Sequence, residues 1–297
     1  FGRSLWKTAD SASEDFFNYC HSFRWLSGLR DCEDPIQACQ MAEQAIKDWI
    51  SHGGDKFDAA RWAPAVTGAR IFNWLVGAPL VMSSQDLVYR SRLLNMIARQ
   101  ARHLLRTVAD APRGLPRLEA ASGALLASIV LPVGTGWQPK AHQWMLAALD
   151  DFLLADGGPR SRNSADALKA LRLLVILRDA YKRCDEPFPG ALQSAIDRLV
   201  PFLKAMRHQN GMLGAFNGLA RSSLFGLDSL LKAAAADGGA MEKLPHTGYQ
   251  RLLANGTLLI IDSGPPPPED MSHEAHVATG AFEMSSGLDP LVVSVGH

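Results

Sequence analysis

The chain has 297 residues, with 30 Lys+Arg balanced by 30 Asp+Glu, so its formal net charge is zero. That length can bury one large core or two modest ones, and the balance leaves no overall field to draw the protein onto nucleic acid or a lipid surface. The most apolar stretch, ALLASIVLPV at 124–133, is too short to cross a bilayer and is broken by Pro132.

Read from the start, the chain begins at Phe1 without a Met or a signal-peptide pattern, and reads as a piece lacking its natural beginning. Cys20, Cys32, Cys39 and Cys184 follow no metal-ligand spacing and read first as small core residues. Asp34 as an N-cap with Pro35 behind it opens a helix over 34–50, and Ile36, Cys39, Ala42, Ile46 and Ile50 fall on one stripe of it. Further helical periods cover about 68–78, 85–110, 116–131, 138–155, 164–184, 189–207 and 218–236. The turns between them, such as SHGGD (51–55), DGGP (156–159) and DEPFPG (185–190), are short, so neighbouring helices form antiparallel hairpins. An array or toroid of hairpins fits this better than a four-helix bundle.

The pattern changes after Gly238-Gly239. GYQRLLANGTLLIIDSG (248–264) places two short apolar runs around Asn255-Gly256, a hairpin signal. PPPP (265–268) follows, and HVATGAFEMSSG (276–287) and PLVVSVG (290–296) read as strands. A helical domain over 1–240 and a β domain over 241–297 are expected. So small a β piece would expose its sheet edge, so the β domain reads as cut short at His297.

Three stretches carry polar groups able to do chemistry. In DGGPRSRNS (156–164), Arg160, Arg162 and Asn163 precede a helix start. Free N–H groups and two guanidiniums there suit a carboxylate or sulfate, and the plainer reading is an Asn cap beside two solvated arginines. RHQNGMLGAFNG (207–218) holds His208, Asn210 and Asn217, which can hydrogen-bond a sugar or move a proton, or else only form a Gly C-cap and an Asn-Gly turn. In SHEAHVATGAFEMSSG (272–287), His273 and His276 lack a third ligand at matching spacing, so no metal is expected. Trp25, Trp62, Trp74, Trp137 and Trp144 read as core or groove-lining residues, the latter suited to sugar stacking. No GxSxG, Walker loop, GxGxxG or HExxH occurs.

HSFRWLSGL (21–29), RWAPAVTGARIFNWL (61–75), DGGPRSRNSADAL (156–168), RLVPFLKAMRHQNGMLGAFNG (198–218), HTGYQRLLANGTLLIIDSGPPPP (246–268) and AHVATGAFEMSSG (275–287) run in an order that resembles the heparinase II/III family of polysaccharide lyase-like proteins. The resemblance implies a mainly α fold: an incomplete (α/α) toroid of antiparallel helical hairpins, followed by the start of an antiparallel β-sandwich domain. It implies β-elimination on a uronic-acid-containing polysaccharide. A group neutralises the carboxylate, a base takes the C5 proton, and an acid protonates the leaving oxygen. By that resemblance Asn163, with Arg160 or Arg162, meets the carboxylate. By the same resemblance His276 faces the cleft as a proton-transfer group; from the residues themselves, His208 is a substitute proton-transfer group, and Asn210, Asn217 and Trp62 are candidate substrate contacts. No cofactor, nucleic acid or membrane insertion is implied, the partner is an acidic polysaccharide, and family habit places the protein in the periplasm or cell envelope, with the cytoplasm as the alternative.

The sequence departs from the family pattern in three places. Pro159 stands where relatives often carry histidine, Phe216-Asn217 where active lyases supply a tyrosine, and Ala278 in place of an aspartate. A lyase and a non-catalytic glycan-binding or envelope-assembly protein both fit. A purely structural helical scaffold is the third reading.

Overall fold

The computed structural model describes residues 3–218, 226–272, 275 and 279–294. His273 and His276, much of the expected strand beginning at 276, and the first residues of the expected helix at 218–236 lie outside the described residues. The helices are α1 (Arg3–Ser11), α2 (Glu14–His21), α3 (Pro35–Ser51), α4 (Pro64–Val76), α5 (Ala78–Val81), α6 (Leu87–Thr107), α7 (Leu115–Val130), α8 (Gln138–Phe152), α9 (Ser164–Arg183), α10 (Gly190–Ala205) and α11 (Leu227–Ala234). The strands are β1 (Lys243–Leu244), β2 (Tyr249–Ala254), β3 (Thr257–Asp262), β4 (Phe282–Ser286) and β5 (Asp289–Val292), in an antiparallel sheet of order β1-β2-β3-β4-β5. The short strand β1 was not expected from sequence. Two compact units divide the chain: Phe1–Pro112 with Glu119–Met145, and Arg113–Leu118 with Leu146–His297.

In the first unit, α3 starts as its residues dictate. Asp34 accepts from the amides of Ile36 and Gln37, with Pro35 at the first helical position. Of the expected stripe, Ala42, Ile46 and Ile50 are buried, but its first turn is not. Ala38, Ala42, Ala45, Ile46 and Trp49 are buried, whereas Ile36 is 71% exposed and Cys39 only half-buried. The cause is Trp49, whose ring packs edge-on against Phe23 (5.7 Å) and Trp74 (5.5 Å) and needs small residues beside it. The cysteines are likewise less buried than expected: all four are free thiols, Cys20 is buried, and Cys184 is exposed.

His21 and Arg70 are the ionisable groups buried fully in this core, among the described residues. Arg70 donates to Gln100 Oε1, the carbonyls of His21 and Arg61, and Thr67 Oγ1, and its guanidinium lies 4.9 Å over Trp49. Trp49 Nε1 donates to His21 Nδ1 at 3.0 Å, so the imidazole proton sits on Nε2, which donates to Asp10 Oδ1 at 3.0 Å. Asp10 Oδ2 also meets His52 Nε2 and Arg61 Nη2, each at 2.8 Å. Protonating His21 would set two N–H donors face to face. Burial lowers its pKa to about 4, against the opposite pull of Asp10.

The crossing of α4 with the later part of α7 is close backbone contact. A Cβ on Gly68 would lie 2.4 Å from the Ala120 Cα, and one on Gly123 would lie 2.2 Å from the Gly68 carbonyl oxygen. In the second unit, Asn255 (φ 49°) and Gly256 (φ 78°) form the two-residue turn between β2 and β3, both left-handed as a type I′ turn requires.

Two outcomes follow for this fold. Gly68→Val should cost about 3 kcal/mol in urea denaturation, since backbone cannot move aside; an unchanged midpoint would refute the close crossing. Unfolded histidine titrates near 6.5 and folded His21 near 4, so the unfolded state binds more protons between those values. Stability is complete above about pH 6.5 and should fall by up to about 3 kcal/mol as pH drops towards 4, a slope that His21→Gln should remove.

Candidate functional site

The loop 156–163 is built by its two glycines and one aspartate. Gly157 (φ 83°) lies so near α10 that a Cβ would come 2.0 Å from the Arg198 carbonyl oxygen. A Cβ on Gly158 would meet Thr247 Cγ2 at 2.2 Å. Asp156 Oδ2 accepts from the amides of His246 (2.8 Å) and Thr247 (2.7 Å) and from Thr247 Oγ1 (3.0 Å), fixing the loop to the segment before β2. Asn163 then caps α9, its Oδ1 accepting from the Ala165 amide at 2.8 Å.

Arg162 departs from both sequence readings of this loop. It is 4% exposed, has left-handed backbone (φ 58°), and points inward. Its Nε donates to the Thr247 carbonyl at 2.7 Å, Nη1 to the Pro265 carbonyl, and Nη2 to Asp262 Oδ1. The guanidinium lies 4.9 Å over the Tyr249 ring. Its carboxylate partner is thus the protein's own Asp262, which is fully buried. Gly248 and Gly264 clear the space, for a Cβ on Gly264 would come 2.7 Å from Arg162 Nη2.

Asn217 closes the network. Also left-handed (φ 53°) and 2% exposed, it donates from Nδ2 to Tyr249 Oη at 2.8 Å and to Asp262 Oδ2 at 3.3 Å. Tyr249 Oη in turn donates to the Arg162 carbonyl at 2.7 Å. Burial, then the Asp262 charge, push the Tyr249 phenol well above its usual range, so it holds its proton at neutral pH. A tyrosine thus lies beside 214–218 in space, Tyr249 on β2 with its ring 5.4 Å from that of Phe216, and it serves as a donor inside the fold.

His208 lies elsewhere in this unit. Its Nε2 is 2.9 Å from Glu283 Oε2 and its Nδ1 is 3.0 Å from Ser285 Oγ, beside a cavity of about 50 Å3 lined also by Asn210, Met212 and Pro290. Glu283 also accepts from the amides of Ala215 and Ser294. Burial would raise the Glu283 pKa, but the His208 bond and these amides outweigh it and hold it below the usual range. Asn210 is exposed and its side chain accepts from the Met212 amide at 3.0 Å, an Asx turn. Arg160 is half-buried, reaches the Asp150 carbonyl only at 3.5 Å, makes no ion pair among the described residues, and keeps a buried Nε without a partner among them. Trp62 belongs to the other unit, and His276 lies outside the described residues.

The structure brings Arg162 and Asn217 together and adds Tyr249, Asp262, Thr247 and Asp156, which sequence reasoning passed over. Part of that was readable. A two-residue turn at Asn255-Gly256 forces Tyr249 opposite Asp262, the pairing observed in the sheet. Glu283 lies in AHVATGAFEMSSG, one of the stretches that carry the resemblance, but was not singled out as a site residue.

Asp262→Ala should destabilise the chain by about 3–5 kcal/mol, because it orphans a buried guanidinium. Tyr249→Phe should cost about 1–3 kcal/mol, and Arg162→Met with Asp262→Leu less than the sum of the two single changes. Denaturant midpoints check all three; an additive double variant would disprove the direct pair.

Comparison with known proteins places this arrangement. Residues 236–297 match the Heparinase II/III-like, C-terminal family. FtsZ-localized protein C of Caulobacter vibrioides is 30% identical over 292 residues, covering 96% of this chain and 49% of that protein. A crystal structure of heparinase III superposes with a TM-score of 0.73 at 14% identity, over 96% of this chain and 51% of that one. A mutant of heparan sulfate lyase HepC from Pedobacter heparinus gives 0.64 at 16% identity, over 96% and 50%. The chain spans about half the length of the relatives it matches. Segment 236–297 is similar to the C-terminal part of heparinase II/III-like proteins, and the chain has the expected fold, helical hairpins followed by an antiparallel sheet as in heparinase III.

Proposed function

We propose that this chain, with a helical domain over 1–240 and a sheet domain from 241, binds an acidic polysaccharide of the cell envelope or periplasm and does not turn it over. The observation that carries this reading is the state of Arg162. It is buried, and each of its three nitrogens already meets an oxygen of the fold, on Asp262 or one of two carbonyls, so the side chain is turned away from any substrate carboxylate in solvent. Asn217 and Tyr249 are held in the same network, and Tyr249 keeps its proton. Proton abstraction at C5 needs a base of suitable pKa within reach of the sugar, and this phenol is neither free nor acidic. Arg160, half-buried and outside any ion pair among the described residues, is the loop cation left to meet a uronate or sulfate. A relative named for its localisation with FtsZ supports a role other than degradation.

The lyase reading keeps the support of the fold, which heparinase III and a heparan sulfate lyase share. The two part in one assay. Mixed with heparin or alginate, the protein should bind without the rise in ultraviolet absorbance that unsaturated uronate ends produce. Arg160→Ala should weaken binding about threefold at low salt, as loss of one exposed ion contact would. Sustained absorbance growth with either polymer, abolished by Asn163→Ala, would establish the lyase instead.

A further inference from the structure

The outer face of α6 carries a row of cations that the reading above does not use. Arg92, Asn95, Arg99, Arg102 and Arg106 follow one another at steps of three and four residues and are all exposed. The helix contains no Asp or Glu. Arg92 is paired with Asp55 at 3.0 Å, whereas Arg99, Arg102 and Arg106 make no ion pair among the described residues. At 1.5 Å per residue, the row runs for about 21 Å.

Rings flank its middle. The Arg99 guanidinium lies 5.1 Å from the Trp62 ring centre, and Trp62 is 5.9 Å from Phe57 and 5.3 Å from His103. Phe57 is 70% exposed, and the Trp62 Nε1 is buried with no partner among the described residues. An open groove of about 620 Å3 runs along the first half of the row and ends at Arg99, lined by Asp55, Leu87, Arg92, Asn95, Met96 and Arg99.

We infer that this face is a second contact surface for an acidic polysaccharide, its carboxylates or sulfates lying on Arg99, Arg102 and Arg106 and a sugar face against Phe57. The inference rests on the polysaccharide-binding reading above and assigns part of that binding to the first unit. Guanidiniums one turn apart suit a linear polyanion, and an exposed ring beside them suits a pyranose face. A lipid surface fits less well. A helix lying in a membrane must turn its apolar side outward, but Leu93, Met96, Ile97, Leu104 and Leu105 of α6 are buried in their own unit.

The test compares the 297-residue chain with the triple variant Arg99→Ala, Arg102→Ala, Arg106→Ala, and with its Arg→Lys counterpart. Retention on heparin and alginate is titrated against salt, with dextran as the neutral polymer and phosphatidylglycerol vesicles as the lipid probe. The alanine triple should bind both polyanions about tenfold more weakly at low salt, with a flatter salt dependence, and keep its thermal melt; three screened surface contacts give a loss of that size. The lysine triple should stay within about threefold of the parent. An alanine triple that binds like the parent overturns this inference and leaves polysaccharide binding standing. A parent chain that binds neither polyanion sinks that reading, and this inference with it. Vesicle binding that the alanine triple loses, with polymer binding unchanged, makes the face a lipid contact and overturns it too.

Discussion

A guanidinium taken out of water opposes folding unless oxygens meet it, and each nitrogen of Arg162 finds one, on the carboxylate of Asp262 or the carbonyls of Thr247 and Pro265. Much of the second unit is shaped by that requirement. The left-handed backbone at Arg162 turns the side chain inward, Gly248 and Gly264 leave it room, and the pairing of β2 with β3 brings Tyr249 beneath it. Asn217 uses a second left-handed residue to place one amide against both the phenol and the carboxylate. The loop that begins at Asp156 is therefore a structural joint before it is a binding surface.

The first unit solves a similar problem with different chemistry. Arg70 spreads its charge over neutral oxygens and two indole faces, and His21 stays neutral between a donor and an acceptor. The stretch 21–29, one of those that carry the family resemblance, supplies core: His21, Phe23 and Leu26 are all buried. Among the described residues, buried polar groups in both units tie segments distant in sequence to one another.

How far the sequence could be read depended on the range of the interaction. Local signals read well: Asp34 with Pro35 opened α3, Asn163 capped α9, and Asn255-Gly256 made the hairpin. Periodicity found α3, α4 and α6 to α10 but passed over α1 and α2. It put Ile36 and Cys39 on the buried stripe of α3 along with Ala42, Ile46 and Ile50, where Trp49 rather than Ile36 meets the core. The fate of Arg162 was not legible, since an arginine beside a helix cap looks the same whether it faces solvent or an aspartate 100 residues later. Likewise, the tyrosine beside 214–218 in space, Tyr249, is delivered from β2.

That separation of 100 residues also bears on the order of assembly. Closing so long a loop costs entropy that helices and a two-residue hairpin do not incur, so α9, α10 and the β2–β3 turn can form before Arg162 meets Asp262. The ion pair then acts as a late clasp, contributing little to the folding rate and much to the slowness of unfolding. Until it closes, a guanidinium and a carboxylate keep their water on opposite sides of an unfinished joint, and docking of the sheet is the step at which that water must leave.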